Sequence, residues 1–579
     1  MGISSPRVSR PPRHWLFPGI VACAAFVIVV AAIDAAGDYP DAPQGPGLTI
    51  DESFNVQEGV RLVEGLKTWA LGWISGERIL TLRQLFGDFD DLGPDWQYGY
   101  HNPDHPPLAR IWLGLWHHAT IAVAPPHHHP QGDLFVTSAA RVGSAAAFAI
   151  TVFLCGWTAS LWYGRAAGVV TALAIVLMPR VFGHAHLAAL ESGIGCTYAL
   201  AVLTLARTWT SDSKVAWPWA VLAGVALGAA MLTKIQGALL PVPVAIWALA
   251  NWRLRALLPL VIWGCVGLAV FFLFWPWLWS HPIDHFLKYL GRATNRQTLY
   301  LWYLGTRYED RSHPWHYCAA MCLTTVPVGL QLLGGLGLFG GRRRMRFARN
   351  EQLVLSAMLF PLVLFSIPRI AVYDGARLFL VSFLLWGIFI GRGGSLAWEW
   401  LCKRLPQRGA LALAGIFLAS QGWALVATWP CFLSSYNLAI GGLGGAHRLG
   451  LELDYWGASV TRDLLERVAA SVPEGADVDV APVLHQFQLG EMLKQSPVLR
   501  RRGIRLHPYD ASRAGQAPYL LIFCRLADLS PDLQALVAER PALVAVRRNG
   551  VLLAALYELR PAASSTQSTP TLSPSTPAN

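Results

Sequence analysis

Long apolar runs with few or no charges fill most of the first 430 residues. They fall at 14–33, 142–164, 166–179, 192–206, 215–233, 235–252, 256–283, 314–341, 352–368, 378–391 and 409–430. A spanning helix needs about 20 apolar residues, so the pattern predicts a polytopic α-helical membrane protein with about 11 transmembrane helices. Several runs are short and borrow flanking residues. The first is too long for a signal-peptide core, and Asp34 breaks the small-residue cleavage pattern, which predicts an uncleaved anchor. After residue 430 the pattern changes. Segments 478–483 and 519–525 read as strands, and 543–547 with 551–557 as a hairpin closed by Asn549-Gly550. Helical patterns at 459–470 and 531–539 alternate with them, which predicts a small α/β domain over 431–560. The Ser/Thr/Pro-rich tail, 561–579, reads as disordered.

Composition agrees. Hydrophobic residues make up 54% of the chain and charged residues 14%, against about 25% charged in a soluble globular protein. A soluble enzyme, bulk disorder and a secreted disulfide scaffold are excluded. The net charge of +11 belongs to cytoplasmic anchoring loops rather than to nucleic-acid binding. With the N-terminus inside, the inner segments hold 16 basic residues, among them Arg7, Arg10, Arg13 and the cluster at 342–349, against three acidic ones. That assigns a cytoplasmic basic N-terminus (1–13), a transmembrane domain (14–430) and an extracytoplasmic C-terminal domain. It predicts a multi-pass protein of the cell membrane (inner or plasma). The large loop 37–133 also faces outward, with 13 acidic and 5 basic residues. Within it, 108–124 is apolar but interrupted by Arg110, His117 and His118, and reads as a helix lying in the outer interface.

Ionisable residues inside or beside apolar runs are costly and mark functional candidates. Asp51-Glu52 could serve as a general base with a supporting acceptor, as metal ligands, or simply favour a helix N-terminus. His105, with Asp104, sits among prolines that would present it rigidly, or that only turn a loop. His184-Ala185-His186 near Glu191 has metal-ligand residue types, so a divalent metal stays open, against a plain interfacial polar patch. Glu191 itself lies just inside an apolar helix and needs a partner or a role. Lys234 joins two apolar runs, where an ammonium suits a lipid phosphate or snorkels to the interface. Arg369, Tyr373-Asp374-Gly375 and Arg377 share a short outer turn. Arginine's fork suits phosphate, and an ion pair to Asp374 is the plainer alternative. Cys431 and Cys524 are the only cysteines after residue 430 and suit a disulfide.

The order of these features carries a resemblance. Asp51-Glu52 opens the first outer loop and His105-Pro106-Pro107-Leu108 follows. Ala140-Arg141-Val142 and Trp162-Tyr163-Gly164-Arg165 bound the second span, and Leu232-Thr233-Lys234 follows a helix with Gly224 and Gly228. Then come Trp275-Pro276-Trp277-Leu278-Trp279, His313-Pro314-Trp315, Tyr373-Asp374-Gly375 with Arg377, Ser435-Tyr436-Asn437, Gly441-Gly442 and Tyr455-Trp456-Gly457. Over roughly residues 14–460 the chain resembles the polyprenol-phosphate-sugar glycosyltransferases of the type C fold. It is most similar to the protein O-mannosyltransferase and lipid A aminoarabinose transferase group, glycosyltransferase family 39, in its bacterial branch.

The resemblance implies that Asp51 is the general base, that Glu52 sits beside it, and that Glu191 is the second acidic residue, where the group commonly has Asp. It implies that Lys234 and Arg377 contact the donor phosphate, with His105 and Tyr373 near the substrate. The implied partners are a polyprenyl-phosphate sugar donor, a protein, lipid or glycan acceptor, and membrane lipid. The implied reaction is inverting sugar transfer at the outer face. A transporter or flippase for lipid-linked sugars is the rival, because it would use the same headgroup-level charges without a base.

Overall fold

The computed structural model describes residues 14–559, apart from 77–80, 89, 91–103, 128–134, 211–216, 295–296, 341–346, 484, 486 and 514–516. The basic N-terminus, most of the 342–349 cluster and the 561–579 tail therefore lie outside the described residues.

All eleven apolar runs are helical, but they do not give eleven long helices. Among the described residues four helical segments are long and apolar enough to cross a membrane: Thr137–Tyr163, Ile235–Leu273, Arg377–Cys402 and Gln407–Thr428. Two bent pairs raise the count to six, Arg165–Val176 with Pro179–Ala185 and Tyr317–Thr325 with Val328–Phe339. The expectation of about 11 is corrected accordingly. The reasons are local. Leu16–Val30 and Trp217–Thr233 have only 15 and 17 residues. Pro179 and Pro327 stand at the two bends, where proline cannot donate the next helical hydrogen bond. At the second bend, 112°, Asn437 Nδ2 donates to the carbonyls of Leu323 and Val326 at 2.6 and 2.7 Å. The Ser435-Tyr436-Asn437 motif thus satisfies backbone groups that the bend frees.

The segment 108–124 is a helix, Leu108–Val123, packed between Ile50–Ser75 and Thr137–Tyr163. Its approach to Ile50–Ser75 needs glycine on both sides. A Cβ on Gly59 would meet the Arg110 carbonyl oxygen at 2.2 Å, and one on Gly114 would meet the Gly59 oxygen at 2.1 Å. Further on, the helix Pro282–Thr294 turns His285 and Tyr289 inward and leaves Ile283, Phe286 and Leu287 exposed. Lys288 ties it to Asp88 and Asp90, 2.5 Å from each. A hairpin that the sequence pattern did not predict, β1 (Tyr300–Tyr303) and β2 (Thr306–Glu309), follows.

The C-terminal part is an α/β unit. Its strands are β3 (Asp477–Ala481), β4 (Arg505–Pro508), β5 (Tyr519–Phe523), β6 (Val544–Arg548) and β7 (Val551–Glu558), in sheet order β4-β3-β5-β7-β6. Strands β4, β3 and β5 run parallel, while β7 pairs antiparallel with β5 and β6. The hairpin turns at Asn549-Gly550, both at positive φ. Strand β4 and the helix Phe487–Gln495 complete the unit beyond what the pattern predicted. Cys431 and Cys524, which suit a disulfide in sequence, are both buried and free.

One buried ion pair fixes the helix Ile50–Ser75. Glu52, in the first turn of Ile50–Ser75, reaches back to the Thr49 backbone N–H at 2.9 Å. Arg141 grips the same carboxylate with Nε and Nη2, both at 2.7 Å, and donates to the carbonyls of Pro46 and Gly47. The Ala188 N–H donates to Glu52 Oε1 at 2.7 Å. Both side chains are buried. The pair therefore ties two helices to the loop that leads into Glu191. Arg141→Ala leaves Glu52 buried without its cation, a change that costs about 3–5 kcal/mol. The expected result is a clearly lower thermal unfolding midpoint for the purified protein in detergent. An unchanged midpoint would contradict the tie.

Candidate active site

A cavity of about 650 Å³ opens where the N-terminal end of Ile50–Ser75 meets the Lys234 and Arg377 segments and the C-terminal domain. Each key side chain sits at the end of an element. Asp51 is in the first turn of its helix, where the dipole favours a carboxylate. Glu191 is in the first turn of Leu190–Thr208. Lys234 is an extended residue between Trp217–Thr233 and the short turn Ile235–Leu239. Arg377 opens the turn Arg377–Phe379, just after Asp374 and Gly375, which take left-handed backbone with φ of 55° and 65°.

Arg377 is the hub. Its Nη2 lies 2.7 Å from Asp51 Oδ2, its Nη1 2.7 Å from Asp374 Oδ2, and its Nε 3.2 Å from Glu191 Oε1. Lys234 Nζ reaches the same Glu191 oxygen at 2.5 Å. The guanidinium also packs on the Trp456 and Tyr373 rings, 4.5 and 5.3 Å from their centres. Arg377, Lys234, Glu191 and Asp374 are buried, while the Asp51 side chain is 29% exposed and lines the cavity. Burial holds the Asp51 carboxyl above the usual carboxylate range, against the pull of Arg377.

A second polar group lies across the cavity. Arg110 donates from Nε to Asn55 Oδ1 at 3.1 Å and pairs with Asp104 at 2.8 Å. His105 sits 3.7 Å from Asp104. Burial, with Arg110, Lys234 and Arg377 nearby, pushes its imidazole down to about 4, against the opposing charge of Asp104. His105 is thus neutral at pH 7, a hydrogen-bonding group rather than a cation. Arg292, on the cavity face of Pro282–Thr294, also lines the space.

Asp51, His105, Lys234, Tyr373 and Arg377 all line one cavity, with Glu191 directly behind its cations. Glu52 does not join them, since it faces Arg141 on the other side of its helix. The two metal candidates point elsewhere. The His184 ring faces the Tyr455 hydroxyl at 3.2 Å, and His186 Nδ1 lies 2.8 Å from the Phe182 carbonyl. Among the described residues no three His, Cys, Asp or Glu side chains gather as a metal site. Arg369 is exposed and away from the cavity, whereas the Arg377–Asp374 pair is formed.

Residues 134–279 match the family model described as dolichyl-phosphate-mannose-protein mannosyltransferase. The resemblance carried by the sequence motifs points to the same group. The matched segment holds Arg141, Glu191 and Lys234, but neither Asp51 nor Arg377. Among solved structures, ArnT from Cupriavidus metallidurans bound to undecaprenyl phosphate is similar at 14% identity and a TM-score of 0.47, over 94% of this chain and 98% of that one. The Archaeoglobus fulgidus oligosaccharyltransferase AglB, with an inhibitory peptide and a dolichol-phosphate, gives 11% and 0.43 over 88% and 69%. The S. cerevisiae Pmt1-Pmt2 complex bound to the sugar donor gives 17% and 0.30 over 51% and 35%. No curated protein matches the chain.

Several lining residues lay outside the sequence reading. Arg110 carries a signal, a charge inside an apolar helix, but in the sequence pattern it marks only an interruption. Arg525, His485 and Phe487 come from the C-terminal domain, and Arg292 from the helix after the tryptophan motif. Only the folded chain brings these segments together.

Proposed function

We propose that this chain is an integral membrane glycosyltransferase that moves a sugar from a polyprenyl-phosphate donor to an acceptor hydroxyl. The shared Arg377 carries the reading. One guanidinium joins an accessible carboxylate, Asp51, to a buried Glu191–Lys234 pair, with Asp51, Lys234 and Arg377 lining one cavity and Glu191 behind them. A donor phosphate entering that cavity competes with the carboxylates for Lys234 and Arg377. As Arg377 turns to the phosphate, Asp51 loses its cation and becomes the stronger base. Asp51 then takes the acceptor proton as the acceptor oxygen attacks the anomeric carbon from the side opposite the phosphate. The new carbon–oxygen bond forms, the glycosyl–phosphate bond breaks, its electron pair leaves on the phosphate, and the configuration inverts. Charge grows on the departing phosphate, and Lys234 and Arg377 are placed to stabilise it. Neutral His105 is in reach to donate a hydrogen bond, and Tyr373 walls the sugar space. Glu191 holds both cations in place, and Glu52 positions the helix that carries Asp51. The match to the mannosyltransferase family over 134–279 supports this class of reaction.

The same reading puts the N-terminus in the cytoplasm, and the cavity and C-terminal domain outside, where the basic and acidic segments are best accommodated. Reporter fusions after residues 13 and 559 should be active on opposite sides of the membrane. Both on one side would overturn the orientation.

Asp51→Asn keeps the volume but cannot accept a proton. It should lower turnover about 10²–10⁴-fold, with donor affinity largely kept. Because Asp51 is held above its ordinary 3.8, it must lose its proton before it can act. Activity should therefore fall as pH drops through a value above the ordinary carboxylate range. Steady-state kinetics across pH, reading polyprenyl phosphate release, checks both. Near-normal transfer by Asp51→Asn would leave the transporter reading in place.

A further inference from the structure

The C-terminal domain contributes a charge to this site. Arg525 follows β5 and is 2% exposed. Its own domain holds it on two sides, through Asp528 and the Tyr455 carbonyl. The Nη1 that donates to the Tyr455 carbonyl also lies 3.0 Å from Asp374 Oδ1, an ion-pair contact toward the site. Asp374 Oδ2 is taken by Arg377 at 2.7 Å and by the Trp456 indole N–H at 3.2 Å. Charges therefore alternate along one line, Arg525, Asp374, Arg377 and then Asp51, from the α/β domain to the cavity floor.

A second observation points the same way. In α/β sheets, ligand-bearing residues cluster beyond the carboxyl ends of parallel strands. Strands β3 and β5 are parallel neighbours. The residues just beyond their carboxyl ends, His485 and Phe487 after β3 and Arg525 after β5, all line the cavity. The functional edge of the domain is the edge turned toward Asp51.

The consequence is electrostatic. Asp374 has two cations, and what one does not satisfy falls on the other. With Arg525 in place, Asp374 tethers Arg377 without claiming all of its charge. Without Arg525, the Asp374 carboxylate draws fully on Arg377, pulls it from Asp51 and cancels the positive potential that a phosphate needs.

We propose that Arg525 is a positioning residue of the transfer site, which acts through Asp374 to keep Arg377 available to the lipid phosphate and to Asp51. This rests on the proposed glycosyltransferase reading and assigns the C-terminal domain a working part in it.

The test uses the full-length protein in detergent and undecaprenyl phosphate as the probe, with its dissociation constant and the unfolding midpoint measured together. Arg377→Gln should weaken binding at least tenfold. Arg525→Gln should weaken it about five- to tenfold in a protein that still folds, at a lower midpoint because Asp374 and Asp528 lose a buried cation. In the Arg377→Gln background it should add less than twofold, because its effect passes through Arg377. Arg525→Lys keeps a cation opposite Asp374 and should bind within threefold of the parent. Multiplying effects in the double variant, or a Lys variant as weak as the Gln variant, would overturn the proposal. If Arg525→Gln fails to fold, Asp374→Asn takes its place in the cycle with Arg377→Gln, and multiplying effects there overturn it equally. A parent protein that binds no undecaprenyl phosphate would instead sink the functional reading. A parent that binds, with Arg377→Gln weak and Arg525→Gln normal, would sink this inference alone.

Discussion

A guanidinium shared among three carboxylates is the constraint on which the rest of this structure turns. Arg377 touches Asp51, Asp374 and Glu191, and Lys234 shares the last of these. Two cations and three anions at close range, four of the five side chains buried, are stable only if the charges stay paired. Asp374 and Arg377 share one turn, and Asp51, Glu191 and Lys234 each come from a separate part of the chain. The membrane helices and the first loop must be placed for the network to close, and the C-terminal domain adds Arg525 and Trp456 at Asp374. The buried Glu52–Arg141 pair does part of that placing. It holds the turn that bears Asp51 against the loop that leads to Glu191, through Ala188.

The same network suits chemistry. Its carboxylates hold the cations in place, and a phosphate that takes Arg377 leaves one of them, Asp51, without its cation. Asp51 differs from its neighbours in that it remains open to the cavity. A group that is paired at rest and freed by the incoming anion is what a base next to a leaving phosphate requires.

Much of this was legible in the sequence, for a physical reason. Charges are costly among apolar runs, so Lys234, Glu191 and Arg377 stood out, and the Asp51-Glu52 pair marked a helix start. Hydrophobic patterning located every apolar segment, the hairpin at Asn549-Gly550 and the change of character after residue 430. It overcounted long spans because run length in sequence does not register the bends at Pro179 and Pro327. The division of labour between Asp51 and Glu52 was not legible. Adjacent residues on a helix point in different directions, and only the fold turns one to the cavity and the other to Arg141. Arg525 was the last residue of an ordinary strand pattern, and its reach to Asp374 spans 151 positions of sequence. Cys431 and Cys524 looked like a pair only because no other cysteine was near. In the fold both are buried thiols.

The central claim is that Arg377 is exchanged between carboxylates and a lipid phosphate. The most direct measurement is an experimental structure of the protein with undecaprenyl phosphate bound. The account predicts the phosphate within hydrogen-bonding distance of Lys234 and Arg377, with the contact from Arg377 to Asp51 opened and Asp51 facing free space in the cavity. A bound phosphate remote from both cations, with Arg377 still closed on Asp51, Asp374 and Glu191, would contradict it.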